Sequence, residues 1–446
     1  MTTRAMTPST EAPTPATWTN WCGLESEAPS AWHRPADAAA VAALATTATD
    51  RGLRLRPIGS GHSFTGIATP VDEVLDLSGM RGLRAVDRAT GRVRVAAGTP
   101  LHELNAALDL LGLALPNLGD IDRQTIAGAV STGTHGTGAG LPGIAAAITG
   151  FELVTAAGEV LWCDDRQHPD LFAAGRVGLG ALGVLTEIEL ACVPAFRLRA
   201  SERPERLEPV LEAVHDIAAA HRHFEFYWFP HTDRVLTKRN DLAAGDEGEA
   251  LPRWRGWLDD EVLSNRVFGI VNTAVRARPG LTRRVNAVSA RALSARTYTD
   301  VSHRVFCSPR RVRFVESEYA VPRASLVPVL TELRRWLTRT GEPVPFPVEV
   351  RFAAADDIWL STGCERDNAY VAVHQFQGMP HHDYMAAFAA IAAEHEGRPH
   401  WGKLHPLAAE QLTPLYPRLD EFRQLRDRLD PARTFTNPCL DRVLGD

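Results

Sequence analysis

Two short loops crowded with glycine and hydroxyl side chains restrict what this chain can fold into. The first is Gly59-Ser60-Gly61-His62-Ser63, inside RPIGSGHSF, and the second runs from Ser131 to Gly138 as STGTHGTG. Glycine lets backbone amides approach a ligand closely and take positive φ, and successive amides then form a concave anion site. Gly59, Ser60, Gly61, His62 and Ser63, with Ser131, Gly133, Thr134, His135, Gly136 and Gly138, therefore read as a cradle for a pyrophosphate. The Ser and Thr hydroxyls add donors. No Gly-Lys-Ser/Thr follows either loop, and Phe64 stands where a GxGxxG dinucleotide fingerprint needs its third glycine. The loops imply a phosphate-bearing ligand held in some other way.

With 446 residues the chain exceeds what one core supports, and its pattern changes near residue 195. Before that point short alternating strands mix with helical stretches at 35–52 and at LHELNAALDLLG. A long loop-like segment spans 114–143, and a hairpin turns at Ala157-Gly158. After it, RFVESEYAVP, FPVEVRFAAAD and NAYVAVHQF read as strands of one antiparallel sheet, SLVPVLTELRRWLTRTG as a helix, and RNDLAAGDEGEALP (239–252) as an exposed loop. The expected class is α+β, with domains at 17–195 and 196–407 and a helical segment, 408–446, packing back on the first. The Thr/Pro-rich residues 1–16 read as a disordered tail.

The net charge of −6 argues against a nucleic-acid partner. The basic cluster SPRRVRF (308–314) alternates with apolar residues and reads as strand faces. Six scattered cysteines without CxxC spacing favour a reducing, cytoplasmic setting, no disulfide framework and no metal site. No apolar run approaches the roughly 20 residues of a membrane span.

From RPIGSGHSF through LPNLGDIDRQTIAGAVSTGTHGTG to GLGALGVLTEIEL, the sequence resembles the flavin domain of the vanillyl-alcohol oxidase type. VESEYAVP, VEVRF, HWGK and DPARTFTNP are similar to its sugar-oxidising branch, the aldonolactone oxidases and dehydrogenases and the alditol oxidases. The resemblance implies a two-domain flavoprotein, an FAD-binding domain followed by an antiparallel-sheet substrate domain. It implies FAD held by both loops and by Gly183, and bonded through a ring nitrogen of His62 to the flavin 8α-methyl. A neutral imidazole is a competent nucleophile near neutral pH, and the bond would raise the flavin potential.

Glu349 and Arg351 stand two apart in VEVRF, on one face of the expected strand. Such a pair can be a surface ion pair or present both groups to a ligand; the resemblance places it in the substrate pocket over the flavin. His374, on a neighbouring expected strand, would point to substrate as well. Lys403, in HWGK, matches a lysine near the flavin pyrimidine, where a cation stabilises negative charge arriving with hydride. The implied chemistry is oxidation of a sugar alcohol: the carbinol C–H leaves as hydride to flavin N5, and the O–H proton leaves to a base or to water. His374 and the Glu349–Arg351 pair are the candidates for that proton.

Asp120 and Glu316 stand where alditol oxidases carry serine and glutamine, and both should line the substrate pocket. These departures favour a sugar 1,4-lactone, L-gulono- or D-arabinono-lactone, over an alditol such as xylitol. Gly119 resembles the residue at the flavin C4a–N5 edge, where a side chain can block oxygen. Its missing Cβ implies an oxidase releasing hydrogen peroxide, with a dehydrogenase using another acceptor as the alternative.

Overall fold

The computed structural model describes residues 16–244, 268–308 and 311–445. The expected tail, apart from Ala16, lies outside the described residues. Helix α1, Ala38–Asp50, starts where the Asp37 carboxylate accepts the Ala40 amide, and it buries Val41, Ala45 and Ala48. Around it, β1 (Ala31–His33), β2 (Leu55–Ile58) and β3 (Glu73–Asp76) form a parallel sheet in the order β1-β3-β2. An antiparallel sheet follows in the order β7-β6-β8-β5-β4, from β4 (Leu83–Asp87), β5 (Arg92–Ala96), β6 (Ile148–Val154), β7 (Val160–Asp164) and β8 (Val184–Ala191). Its β6–β7 hairpin turns at Gly158, whose φ of +80° suits glycine.

The segment 114–143 is not a continuous loop. Ile126–Ser131 forms helix α2, because the Thr125 hydroxyl caps the Gly128 amide and Ile126, Ala127, Ala129 and Val130 are all buried. Its small residues and flanking glycines leave too weak an apolar stripe to be seen as a helix.

The second half is built on one eight-stranded antiparallel sheet: β9 (Arg197–Arg206), β10 (His223–Trp228), β11 (Arg234–Leu242), β12 (Arg296–Val301), β13 (Phe314–Pro322), β14 (Val348–Ala353), β15 (Asn368–Phe376) and β16 (Arg398–Pro399). Their order is β12-β9-β11-β10-β14-β15-β13-β16. Two sequence expectations change here. Arg239–Leu242 complete β11 instead of opening a loop, since β9 and β10 pair with them on both sides; residues 245–252 of that expected loop lie outside the described residues. In SPRRVRF only Phe314 is in a strand, and residues 309–310 lie outside the described residues.

Strand alternation divides this sheet into two unlike faces. Phe224, Phe226, Val348, Val350, Tyr319 and Val371 fall on one, against helices α3 (Leu326–Thr340) and α4 (His382–Glu394); the Tyr319 and Phe388 rings meet edge-on at 5.5 Å. Glu225, Tyr227, Glu316, Glu318, Glu349, Arg351 and His374 fall on the other. Polar faces of antiparallel sheets commonly meet water. Here Glu349 is 5% exposed and Arg351 8%, because the first half of the chain covers them. Burying charge is costly unless it is paired, so this face carries either a strong internal network or a ligand.

The two halves are joined by backbone contacts. The Gly138 amide donates to Phe352 O at 2.8 Å, the Phe352 amide to Thr137 Oγ1 at 3.2 Å, and His223 Nδ1–H to Thr137 O at 2.8 Å. The end of the chain returns to β2: the Leu55 amide donates to Thr434 O at 2.7 Å. Asn437 shares its amide hydrogens among the carbonyls of Gly66, Ile67 and Thr69 at 2.9, 3.2 and 2.9 Å, and accepts the Leu440 amide at 2.9 Å. No helix among the described residues is long and apolar enough to cross a membrane.

Asn437→Ala leaves those buried carbonyls unsatisfied and should lower unfolding stability by about 2–4 kcal/mol. Urea denaturation measures this, and an unchanged midpoint would contradict the assignment of Asn437 as a tie between the chain end and the first sheet.

Candidate active site

A cleft with about 890 Å³ of empty space opens between β2, α2 and the strand entry at Gly178–Gly183. Gly59 to Ser63, Gln124, Ser131 and Gly183 are among the residues lining it. The first loop turns at Gly61, φ +67°, and a Cβ on Gly59 would lie 2.4 Å from Thr125 Oγ1, so both glycines are needed where they stand. Among the described residues no group accepts the amides of Gly59 to Ser63, and Gln124 Oε1 also lacks a partner. Arg56 lines the cleft with its guanidinium fixed on the carbonyls of Leu179, Gly180 and Phe435. A row of free amides on a glycine floor is the donor set that a pyrophosphate requires, and it fits the expected FAD.

The second loop divides. Ser131 lines the cleft, while Gly133, Thr134, His135, Gly136 and Gly138 lie beyond its lining, with His135 and Gly138 in contact with the second half. Thr134 accepts a hydrogen bond from Gln124 at 3.1 Å. A Cβ on Gly136 would come within 2.2 Å of Leu118 O. His135 stacks on Tyr370 with ring centroids 3.6 Å apart, and its Nε2 lies 3.3 Å from Glu318 Oε1. With His400, these two offer ligand atoms within 4.8 Å of one another, a group that could hold a metal ion.

His62 stacks on Trp21 at 5.9 Å. Burial, then Lys403 and Arg123, push its pKa down to about 4, so the imidazole is neutral at pH 7. The HWGK segment ties this loop to the eight-stranded sheet. The Phe64 amide donates to Gly402 O at 2.7 Å and the Thr65 hydroxyl to Trp401 O at 3.0 Å. Lys403 Nζ sits 4.9 Å over the Phe64 ring and pairs with Glu316.

The polar face of the sheet supplies the rest. Arg351 donates through Nε to Glu225 at 3.2 Å, and its Nη2 meets Glu349 and, at 3.4 Å, Asp120. The Tyr227 hydroxyl donates to Glu349 Oε1 at 3.0 Å and lies 3.2 Å from Glu225 Oε1. Lys238 stands 3.4 Å from Glu225. His374 donates Nδ1–H to Pro347 O at 3.1 Å, and its Nε2 lies 3.5 Å from Glu316 and 4.0 Å from Glu349 Oε2. Register explains the convergence: Tyr227 is opposite Glu349, Glu316 opposite His374 and Glu225 opposite Lys238.

Burial raises the Glu349 carboxyl above its ordinary range, with Arg351 pulling the other way. Burial opposes charge on Glu316 too, but Lys403 and His374 outweigh it and hold the carboxyl down near 2. For His374 the carboxylates of Glu316 and Glu349 outweigh burial, and its pKa is raised. A proton on His374 is therefore retained above the usual imidazole range.

All four expected catalytic residues, with Asp120 and Glu316, belong to this one cluster. Glu225, Tyr227 and Lys238 were not anticipated. In HFEFYW Glu225 and Tyr227 alternate with apolar neighbours as surface residues do, Lys238 lies in the polar run TKRN, and only the strand pairing reveals that they face Arg351. Gly119 does not have positive φ; a Cβ there would touch His135 O at 3.3 Å and Thr134 Cγ2 at 3.4 Å. Its carbonyl accepts the Cys307 thiol at 3.4 Å. The site can thus bind and orient hydroxyl groups and hold a proton beside the cofactor cleft.

Residues 29–164 match the model of an FAD-binding domain, and residues 188–443 match the model of D-arabinono-1,4-lactone oxidase. L-gulono-1,4-lactone dehydrogenase of Mycobacterium tuberculosis is 39% identical over 96% of this chain and 99% of its own. L-gulonolactone oxidase of Mus musculus is 30% identical over 95% and 97%, and alditol oxidase of Streptomyces sp. 31% over 96% and 98%. Cholesterol oxidase from B. sterolicum superimposes with a TM-score of 0.82 over 99% of this chain and 100% of its own, at 17% identity, which speaks to the fold. The chain belongs to the D-arabinono-1,4-lactone oxidase family of FAD-dependent oxidoreductases, within the vanillyl-alcohol oxidase type.

Proposed function

We propose that the protein oxidises a carbinol carbon of a sugar 1,4-lactone, of the L-gulono or D-arabinono type. The observation that carries this reading is the buried Glu349–Arg351 pair, joined through His374, Glu316 and Lys403 to the loop that carries His62. The cluster sets the carboxylates Asp120, Glu225, Glu316 and Glu349 against the cations Arg351, Lys238 and Lys403 and the imidazole of His374, whose pKa Glu316 and Glu349 raise. Such balance suits an uncharged polyhydroxyl substrate. Asp120 and Glu316, the departures from the alditol oxidases, are both committed to these pairs, which favours the lactone; the Streptomyces relative keeps an alditol as the second reading.

Bound FAD supplies the two-electron acceptor. Glu349 has its Oε1 engaged by Tyr227 and Arg351, while Oε2 faces His374 across 4.0 Å, a gap longer than a hydrogen bond. A substrate hydroxyl fits that gap as donor to Glu349 and acceptor from His374. Glu349, its pKa raised by burial, is the base that takes the hydroxyl proton. Arg351 keeps its charge and holds the carboxylate in place. Lys403, paired with Glu316, fixes positive charge next to the His62 loop. His62, neutral and inside the cleft, is suited to a covalent bond with the cofactor. The free thiols of all six cysteines are compatible with a cytoplasmic setting.

Flavin fluorescence should stay with the chain through acid precipitation, and His62→Ala should release it. Complete loss of flavin from the wild-type chain on denaturation would rule out the covalent bond.

Substrate and acceptor are tested together, with a panel of lactones and alditols assayed under oxygen and with an artificial acceptor. L-gulono-1,4-lactone should reduce the flavin faster than xylitol; the reverse order would establish the alditol reading. Oxygen is the proposed acceptor, reaching the flavin past Gly119. Because Gly119 needs no positive φ, alanine there adds only a tight contact. Gly119→Ala should slow reoxidation by oxygen and leave anaerobic reduction nearly intact. A wild-type reduced enzyme inert to oxygen would make this a dehydrogenase.

A further inference from the structure

A second cleft lies on the helix-covered side of the eight-stranded sheet, away from the cofactor. It has about 1100 Å³ of empty space between the turn after β10, the helix Thr282–Ala292 and α3. Four arginines line it, Arg234, Arg283, Arg291 and Arg334, against one acid, Asp233. In a chain of net charge −6 this is a local concentration of positive charge, and a cleft focuses the field of the charges around it.

The acids within reach are already taken. Asp233 pairs with Arg206 at 2.6 Å and reaches Arg234 only at 3.9 Å, and Glu208 is engaged by Arg334. Neither Arg283 nor Arg291 has an ion-pair or hydrogen-bond partner among the described residues.

The walls are fixed before any ligand arrives. Asn286, 1% exposed, donates to Pro230 O at 3.0 Å and to Val344 O at 2.8 Å, pinning the helix to both neighbouring segments. His231 takes φ +64°, rare for a residue with a Cβ, and donates Nε2–H to Glu342 O at 2.8 Å. Strained backbone of this kind persists only where its surroundings over-determine it, and it clusters at binding sites.

We propose that this cleft binds a small polyanion, a phosphate ester or pyrophosphate with at least two negative charges. Guanidinium forks match phosphate oxygens bidentately, and with Arg334 paired to Glu208, a ligand carrying two negative charges would balance the two unpaired cations, Arg283 and Arg291. The fit to nucleic acid is poor, since the arginines converge on one concavity and form no extended stripe. Trp228 lines this cleft while its neighbour Tyr227 faces Glu349, so the ligand would rest against the far side of the catalytic sheet.

The test is calorimetric titration of the FAD-loaded protein with pyrophosphate at two ionic strengths, for wild type, Arg283→Glu/Arg291→Glu and Arg283→Gln/Arg291→Gln. Wild type should bind, more weakly at higher salt. The glutamate variant should lose affinity at least about tenfold, and the glutamine variant less, with thermal unfolding and lactone-driven flavin reduction unchanged. No binding to wild type, or equal binding by the variants, overturns the proposal. So would wild-type binding to phosphatidylserine vesicles that pyrophosphate does not displace, which would make this face a membrane contact.

Discussion

Arg351 is the charge around which the catalytic half is organised. Its guanidinium meets Glu349 on its own strand, Glu225 on β10 and Asp120 on the loop from the first half. Those three carboxylates come from segments far apart in sequence, so the guanidinium sets the register of two strands and the docking of a loop at once. A buried pair of this kind contributes little net stability, but removing one partner costs about 3–5 kcal/mol because the other charges are stranded. Lys238 and Tyr227 complete the balance by engaging Glu225 and Glu349. The sheet can bury its polar face only because this network closes.

The same closure brings cofactor and substrate sides together. Glu316 links His374 to Lys403, and Lys403 lies over Phe64, two residues from His62. Electrostatics then separates the two histidines. Burial, then Lys403 and Arg123, lower the pKa of His62, whereas the carboxylates of Glu316 and Glu349 outweigh burial and raise that of His374.

Much of this was legible in the sequence where chemistry depends on local spacing. Glu349 and Arg351 share a face because they are two apart on a strand, and GSGHSF announces a glycine-floored turn. Partners fixed by register were not legible: nothing local in HFEFYW or LTKRN marks Glu225, Tyr227 or Lys238, and part of β11 read as a loop. The second glycine loop is only half legible, because a glycine freeing an amide for phosphate and one, such as Gly136, making room for a carbonyl look alike in sequence. Helix α2 was hidden for a related reason, its small buried residues giving little amphipathic signal. The block DPARTFTNP gains a physical reading from the structure: its carbonyls and Asn437 fasten the chain end to β2 and the His62 loop's continuation.

The proposed chemistry depends on Glu349 as the proton acceptor of the buried polar face. Anaerobic reduction of the enzyme-bound flavin by L-gulono-1,4-lactone across pH, in wild type and Glu349→Gln, tests it most directly. Glu349 must be ionised to act and its pKa is raised, so the wild-type rate should climb with pH along a limb lying above the ordinary carboxylate range. Glu349→Gln should retain its flavin, lose that limb and react at least about 10²-fold more slowly. A variant that keeps both the limb and the rate would contradict the account.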